Sequence, residues 1–406
     1  MYIGITAEWN PFHSGHAHML RSLKNLFPDA PIISAMSGSF VQRGEPAIFD
    51  KWTRAKWALM FGVDAVIELP VLCVLQSADK FAASSVSLLH NMGCTHIAFG
   101  AESLNSDTLY NAAQWSLQPD FNLYFHQFLG KGLSYASAVT KSMEIRYPEI
   151  SRELTRPNNL LGFLYVQAAL KQNLPLSFIV IERNTHYPAS ATIARKHFVA
   201  GESYPLLPEQ IQTEIHTLMN TGHILSYARY EDACLLLGRL TKKESLRDSR
   251  LFSEGLENKW YKEIQQASLP DIFEAIKSKR YLYSRLKRIA ASLLLSSELV
   301  PSPFSHSSFP KYARLLALKN TKSFILNKSN LPVITGAAKA LRTLQEKKAL
   351  ESFRRKRQHS LSDRKRSSNR YRIKPRQPHR HNKRHGGGFL RRGRRYGSLQ
   401  LPQLQV

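Results

Sequence analysis

The alternation of strand-like and helix-like segments in the first two hundred residues constrains the fold most strongly. Short apolar runs that suit buried strands lie at 1–8, 31–38, 64–70, 95–102 and 176–184. Segments with apolar residues at helical spacing separate these runs. Strands that alternate with helices form βαβ units, so we predict an α/β fold with a parallel sheet and helices on both faces. In such sheets, ligands bind beyond the carboxyl ends of the strands.

The segments that follow differ in composition. From 205 to 349 the pattern is mostly helical, with Lys and Arg interleaved among apolar residues. Residues 350–406 are rich in Arg and interrupted by Gly and Pro, and such a tract cannot bury a core. We therefore predict three parts: an α/β domain at 1–204, a helical domain at 205–349 and a disordered basic tail at 350–406.

The charge of the chain indicates the kind of partner. Lys and Arg (57) outnumber Asp and Glu (30), which gives a formal net charge of +27. The tail from 351 to 406 has 18 Lys and Arg against 2 Asp and Glu, so 27 minus 16 leaves +11 for the body. A basic body favours a polyanionic partner such as nucleic acid.

Cysteine content and the N-terminal residues bear on the compartment. Cys73, Cys94 and Cys234 are far apart and form no CxxC pair, which fits a reducing, cytoplasmic environment. The chain starts with strand-like residues instead of a signal peptide, and it contains no apolar run of about 18 residues. We expect a cytoplasmic protein without a membrane segment, and the sequence leaves the oligomeric state open.

The stretch AEWNPFHSGHAHML, directly after the first predicted strand, carries the clearest chemical signal. If Gly15 and His16 open a helix, His13 and His16 both point toward the space above the strand end. A helix N-terminus offers unpaired N–H groups and partial positive charge, and an imidazole can donate to a phosphate oxygen. These parts suit adenylyl transfer, which depends mainly on positioning and charge stabilisation.

Two other interpretations of this stretch stay open. Two histidines at a spacing of three are more often structural than catalytic. Zinc ligation would require further ligands, and only Glu8 and His18 stand nearby, so no metal site is predicted.

Eight segments, in order over about residues 1–335, resemble the bacterial tRNA(Met) cytidine acetate ligase family of the HxGH nucleotidyltransferase superfamily. The segments are AEWNPFHSGH, MSGSFVQRGEPAIFDKWTRAKWAL, GVDAVIELP, QSADKFAASSVSLL, FGAES, RPNNLLGFLYVQA, ASATIARK and YSRLKRIAASLLL. The resemblance implies a nucleotidyltransferase-type, Rossmann-like ATP-binding domain at 1–204 and a tRNA-binding helical domain at 205–349.

The resemblance also implies a two-step reaction. Acetate attacks the α-phosphate of ATP, which gives acetyl-adenylate and pyrophosphate, with Mg²⁺ accompanying ATP. The N4 amine of the wobble cytidine in elongator tRNA(Met) then takes the acetyl group and AMP leaves. The product would be N4-acetylcytidine in the tRNA.

By the same resemblance, His13 and His16 would be catalytic and would stabilise the pentavalent phosphate. The implied ATP-binding positions are Ala7, Glu8, Trp9, Asn10, Pro11, Phe12, His13, Ser14, Gly15, His16, Ala17, His18, Met19, Leu20, Gly100, Asn158 or Asn159, and Arg183. Ser190 and Thr192 would hold the β and γ phosphates with hydroxyls and helix N-terminal amides.

Each of the outlying positions has an ordinary structural explanation as well. Gly100 lies at a predicted strand end where a side chain would block a nucleotide, but it also suits a simple turn. Arg183 follows a strand and could grip phosphate, although a surface arginine is the more common case. Ser190 also suits an ordinary N-cap.

Two further segments have two interpretations each. The segment QRGEPAIFDKWTRAK suits either a substrate-facing or RNA-facing loop, or a helix capped by Asp50 whose Trp52 and Trp57 pack inward. The segment SRLKRIAASLL contains Arg285, Lys287 and Arg288, which suit a solvated helix face or contacts with phosphates.

The sequence departs from the family pattern in two places, and two other functions stay open. The segment RNTHYP leads almost directly into ASATIARK, whereas the family has a longer connection there. The Arg-rich tail fits a lineage-specific RNA arm or the product of a shifted reading frame. The alternatives are a small-molecule adenylyltransferase, which the basic body disfavours, and a non-catalytic RNA-binding protein with a vestigial nucleotide site.

Overall fold

A seven-stranded sheet forms the centre of the protein. We describe residues 1–182, 190–248, 252, 255–278, 281–295 and 309–336 of a computed structural model. Residues 1–350 and 351–406 are separate units, and all described residues belong to the first. The predicted disorder of the tail and the predicted role of Arg183 both lie outside the described residues.

Five strands in the first half of the chain follow the predicted alternation with helices. The strands are β1 (Ile3–Ala7), β2 (Ile32–Ser37), β3 (Ala65–Leu69), β4 (His96–Ala101) and β5 (Ser177–Glu182). The helices among them are α1 (Ser14–Leu26), α2 (Lys51–Met60), α3 (Val71–Val74), α4 (Ala78–Asn91), α5 (Ser106–Trp115), α6 (Pro119–Gly130), α7 (Tyr135–Glu144), α8 (Pro148–Glu153) and α9 (Pro157–Lys171).

The strand order in the sheet is β5-β4-β1-β2-β3, followed by two later strands, and these five strands are all parallel. The predicted α/β fold with a mostly parallel sheet is confirmed. After β1 the chain adds β2 and β3 on one side and then crosses to place β4 on the other side. The sheet therefore has a topological switch point between β1 and β4, where ligands bind in folds of this type.

Both faces of the sheet are buried, which explains the nearly continuous apolar strands. Alternate residues of a strand face opposite cores: Ile33 and Ala35 of β2 join one cluster, and Ile32 and Met36 join the other. Helices α4, α5 and α9 cover the first face, and α1 and α2 cover the second.

The chain beyond β5 continues with helices and then returns to the sheet. The helices are α10 (Ala191–Val199), α11 (Glu209–Asn220), α12 (Tyr227–Leu240), α13 (Lys243–Asp248), α14 (Leu256–Glu263), α15 (Leu269–Ile276) and α16 (Tyr283–Leu295). Helices α10 and α11 pack on the same core as α1 and α2, whereas residues between Cys234 and Leu293 form a third hydrophobic core. The predicted boundary at 204 lies between α10 and α11 and stays a prediction.

The segment 309–336 differs from the mostly helical pattern predicted for 205–349. It contributes β6 (Ala313–Leu318), which pairs antiparallel with β3, and β7 (Val333–Ile334), which pairs parallel with β6. A six-residue apolar run such as ARLLAL has no periodicity that separates a strand from a buried helix, so the sequence pattern does not reveal this return. Within the described ranges, no helix has the length and apolar character needed to cross a membrane.

Helix α9 approaches β4 so closely that Gly162 has no room for a side chain. A Cβ at this position would lie 2.4 Å from a ring carbon of the buried Phe99. We expect Gly162→Ala to lower the free energy of unfolding by about 1–3 kcal/mol, because overpacking outweighs the gain in helix propensity. Gly130→Ala in α6 meets nothing within 4 Å and serves as the matched control, with an unchanged or higher thermal midpoint. Equal midpoints for the two variants would contradict the close packing of α9 on β4.

Candidate active site

Two histidines form the N-terminus of α1 at the carboxyl end of β1. His13 is the N-cap residue, and its Nδ1 accepts a hydrogen bond from the Gly15 N–H at 3.2 Å. The His13 N–H donates in turn to Nδ1 of His16, also at 3.2 Å. The two imidazoles therefore make the reciprocal contacts of a capping box, which Ser or Thr with Glu or Gln more often provide.

This capping arrangement selects a tautomer for each imidazole. A ring nitrogen that accepts an N–H cannot carry a proton, so Nδ1 of both His13 and His16 is unprotonated. The proton of the neutral ring then resides on Nε2, which is a donor. The rings lie nearly parallel with centroids 3.6 Å apart, so two donors are held at the start of α1.

Buried aromatic residues hold the histidine rings in place. Trp9 is 1% exposed and meets the ring of His16 edge-on at 4.8 Å. Phe12 lies 5.5 Å from the same ring and stacks on Phe61 at 4.6 Å. Trp9 has a φ of 45°, a left-handed conformation that costs on the order of 1–3 kcal/mol for a residue of this kind. Packing against Phe12 and His16 maintains this conformation at the turn out of β1.

Arg54 connects the carboxyl ends of β1 and β2 through hydrogen bonds to main-chain carbonyls. Its side chain is fully buried, and it donates to main-chain carbonyls of Phe49 (3.0 Å), Glu8 (2.6 Å), Ser37 (3.1 Å) and Gly38. Burial lowers the pKa of Arg54 to about 10, so the guanidinium stays charged at neutral pH. The sequence pattern does not reveal this role, although Arg54 lies on the same buried face of α2 as Trp57 and Ala58.

The loop after β2 also contacts Glu8 in residues 8–13 between β1 and α1, which we call the histidine loop. The Glu8 carboxylate accepts the Gln42 N–H at 2.8 Å, and the Gln42 amide donates to the carbonyl of Gln76 at 2.9 Å. Burial raises the pKa of Glu8, although the Gln42 hydrogen bond and the charge of Arg195 oppose this rise. Glu8 is therefore an energetically costly carboxylate beside the candidate site.

Helix α2 answers one question that the sequence leaves open. Asp50 is its N-cap and accepts the Trp52 and Thr53 N–H groups. Trp57 is fully buried, as the structural interpretation predicts, whereas Trp52 is 46% exposed. The ammonium of Lys51 is already paired with the Glu68 carboxylate at 2.7 Å, so it is not a free cation for an RNA phosphate.

Gly100 lies near the carboxyl end of β4, the strand that pairs with β1. The pairing of β1 with β4 ends with Ile5 opposite Ala98, and the two strands continue beyond this pair to Ala7 and Ala101. The switch point between these strands thus has Gly100 on one side and the start of the histidine loop on the other.

The two asparagines at the start of α9 differ in what they are available to bind. Asn159 is fully buried; its oxygen accepts the Glu102 N–H at 2.9 Å and its amide donates to Ser103 and Glu153. Asn158 is half-buried and donates to the Glu102 carboxylate at 2.6 Å. Asn159 therefore holds the loop after β4, and of the two alternatives Asn158 has the side chain that a ligand reaches more readily.

Helix α10 contacts the histidine loop through an arginine. Arg195 donates to the carbonyl of Asn10 at 2.8 Å, which fixes α10 against the loop. Ser190 is the N-cap of α10 and accepts the Ile193 N–H at 3.4 Å. The hydroxyl of the exposed Thr192 accepts from Arg195 at 3.3 Å. The N-terminus of α10 is thereby brought to the same edge of the sheet, and the phosphate role of these hydroxyls stays a prediction.

Comparison with known proteins bears on which chemistry this edge of the sheet performs. The family model described as HIGH Nucleotidyl Transferase matches residues 1–383. The chain is 36% identical over 369 residues to the tRNA(Met) cytidine acetate ligase of Listeria welshimeri, and the match covers 84% of this chain and 91% of that protein. The chain belongs to the tRNA(Met) cytidine acetate ligase family. The predicted resemblance and the prediction that the chain is a ligase are confirmed by this membership.

Two further proteins are similar to this chain over most of its length. The enzyme of Thermosipho africanus is 33% identical over 364 residues, with 82% of this chain and 84% of that protein covered. Crystal structures of Thermotoga maritima TmcAL resemble this fold as well. The structure of that protein bound with alpha-thio ATP has a TM-score of 0.78 at 31% identity, and the match covers 85% of this chain and 88% of that one.

The raised pKa of Glu8 predicts a pH-dependent effect on stability. The folded chain holds the Glu8 proton to a higher pH than the unfolded chain does, so this residue costs stability as pH rises above about 4.3. Glu8→Gln keeps an acceptor for the Gln42 N–H and removes the charge. We expect its thermal midpoint to exceed that of the native chain at pH 7 and to equal it near pH 4.

Glu214 supplies a control of opposite sign for this measurement. Its carboxylate contacts Lys56 at 2.9 Å and accepts from the indole of Trp57 at 3.0 Å, and these contacts lower its pKa. Glu214→Gln should lower the midpoint at pH 7, with a difference that disappears as pH falls through the folded pKa. A Glu8→Gln midpoint below that of the native chain at pH 7 would show that the surrounding cations outweigh burial.

Proposed function

We propose that this protein binds ATP and acetate, forms acetyl-adenylate, and acetylates the N4 amine of the wobble cytidine in elongator tRNA(Met). In the first step, an acetate oxygen attacks the α-phosphorus of ATP and pyrophosphate leaves. In the second step, the N4 amine attacks the acetyl carbon, AMP leaves with the bonding electrons, and the amine loses a proton. The product is N4-acetylcytidine.

The observation that carries this proposal is the pair of histidines, His13 and His16, that cap the N-terminus of α1 at the switch point. Their Nδ1 atoms face the backbone, so donor Nε2 groups are the parts of the rings suited to a developing phosphorane charge. The α1 N-terminus adds a partial positive charge at the same place. Neither histidine has to change its protonation state, because adenylyl transfer by an incoming carboxylate needs no general base.

The names of related proteins support the substrates. The Listeria welshimeri and Thermosipho africanus relatives are tRNA(Met) cytidine acetate ligases, and the Thermotoga maritima relative binds alpha-thio ATP. The net charge of +27 suits a tRNA substrate better than it suits a small-molecule adenylyltransferase. We assign the nucleotide to the 1–204 region and tRNA binding to 205–349, with the basic tail as an additional RNA contact.

Mg²⁺ would enter with ATP as part of the substrate. The described residues include no group of three or more His, Cys, Asp or Glu side chains placed to hold a metal ion. Mg²⁺ commonly takes most of its ligands from substrate phosphates and water, so this chain need not supply a cage. When bound, the ion would offset charge on the triphosphate.

Acetate-dependent exchange of pyrophosphate into ATP tests the first step without tRNA. We expect His16→Ala to reduce this exchange by about 10²- to 10³-fold, because a donor to the developing phosphorane is lost. His126→Ala removes an exposed histidine of α6 and should leave the exchange unchanged. Nucleoside analysis of tRNA after incubation with the native enzyme then tests for N4-acetylcytidine. Exchange at the native rate in His16→Ala, with the fold intact, would refute the role of that imidazole.

A further inference from the structure

Two segments whose sequences have two interpretations each contact one another in the structure. The loop of residues 41–45 and the first turns of α16, residues 283–288, form a contact that we call the seam. Gly44 has a φ of 86°, and a Cβ at this position would lie 2.2 Å from the backbone nitrogen of Arg288. The hydroxyl of Tyr230 also donates to the Gly44 carbonyl at 3.4 Å. The position of α16 relative to the loop is therefore closely defined.

Three cations of α16 lie at or beside the seam, and two of them contact protein groups. The guanidinium of Arg285 lies over the ring of Tyr281 at 5.3 Å. The ammonium of Lys287 contacts the carboxylate of Glu45, whose other oxygen is 3.7 Å from Arg195. Arg285 and Lys287 therefore each have a partner within the protein that fixes the position of the charged group.

Arg288 differs from its two neighbours. It is half-buried, and throughout the described ranges no side chain or carbonyl makes a hydrogen bond or ion pair with its guanidinium. Burial and the nearby charge of Arg285 lower its pKa to about 10, while the Asp79 carboxylate opposes this shift from beyond ion-pair distance. A partly desolvated guanidinium with unused donors is costly, and an anion would offset that cost.

The topology of the sheet indicates which substrate would supply the anion. The seam loop follows β2, and Asp79 is in the first turn of α4, which comes after β3. Both therefore lie beyond the β2 and β3 ends, on the side of β1 away from β4. The nucleotide is assigned to the β1–β4 switch point, so the seam faces the half of the site left for the acetyl acceptor.

We propose that Arg288 binds a backbone phosphate of the tRNA that accepts the acetyl group. This contact would position the tRNA for acetyl transfer. A guanidinium presents two parallel N–H groups, which match two oxygens of one phosphate. Arg288 is a positioning residue in this role, and the proposal rests on the proposed function. The contact to RNA can nevertheless be measured by binding alone, without any turnover.

The experiment compares two Arg→Gln substitutions in the full-length protein. Arg288→Gln should weaken tRNA(Met) binding by about tenfold or more and make the slope of log affinity against log salt shallower by about 0.7–0.9. Acetate-dependent pyrophosphate exchange without tRNA should stay at the native rate. Arg229→Gln removes an exposed arginine of the neighbouring helix α12 and should change neither affinity nor slope appreciably.

Two results would overturn the assignment. Native affinity and salt slope in Arg288→Gln would exclude a phosphate contact there. Loss of pyrophosphate exchange with unchanged tRNA binding would instead assign the anion to ATP or to acetate. A native protein that binds tRNA but performs no exchange with acetate would refute the proposed function, and the binding comparison would still decide the role of Arg288.

A measurement on the native chain covers the case in which Arg288→Gln does not fold. Phenylglyoxal modifies accessible guanidinium groups, and peptide mass analysis reports each site separately. We expect tRNA to protect Arg288 from modification and ATP alone to leave it reactive, whereas Arg229 should react equally in both. Equal modification of Arg288 with and without tRNA would refute the phosphate contact.

Discussion

The guanidinium of Arg54 holds together the part of the molecule on which the candidate site depends. It is fully buried and donates to carbonyls at the carboxyl ends of β1 and β2 and to one that precedes α2. Removing a charge from water costs several kcal/mol, and hydrogen bonds to a charged group return on the order of 1.5–3 kcal/mol each. A neutral side chain could not satisfy these carbonyls at once. The spacing between the first two strand exits, and with it the course of the histidine loop, therefore depends on this cation.

Arg195 links the histidine loop to the helices that follow β5. Arg195 donates to the Asn10 carbonyl and faces Glu45, which in turn contacts Lys287 of α16. The histidine loop, α10 and α16 are consequently linked by polar contacts as well as by apolar packing. These polar contacts run from α16 to the loop that precedes α1.

The sequence predicts the parts of this architecture that depend on local patterns. The strand and helix alternation, the position of α1 and the convergence of His13 and His16 all follow from short-range spacing, because periodicity and capping are local properties. The hydrogen bonds of Arg54 are different, because their carbonyl acceptors come from residues 8, 37, 38 and 49. No spacing in the sequence reveals which main-chain oxygens will lie around this guanidinium. The same holds for Asn159, whose side-chain oxygen accepts the Glu102 N–H in the loop after β4, while its predicted contact with ATP stays a prediction. The contact between Gly44 and Arg288 joins segments more than 240 residues apart, which only the fold brings together.

The antiparallel pairing of β6 with β3 has a consequence for synthesis of the chain. β3 ends at Leu69, and its outer partner ends at Leu318, roughly 250 residues later, which corresponds to about 12–50 s of translation at ~5–20 residues per second. During that interval the nascent sheet presents β3 as an unpaired edge with main-chain donors and acceptors open to another strand. Apolar residues such as Val66 and Ile67, buried in the finished sheet, make this edge prone to aggregation on the ribosome. Chaperone binding to the emerging chain would therefore matter most between completion of β3 and release of residues 313–318.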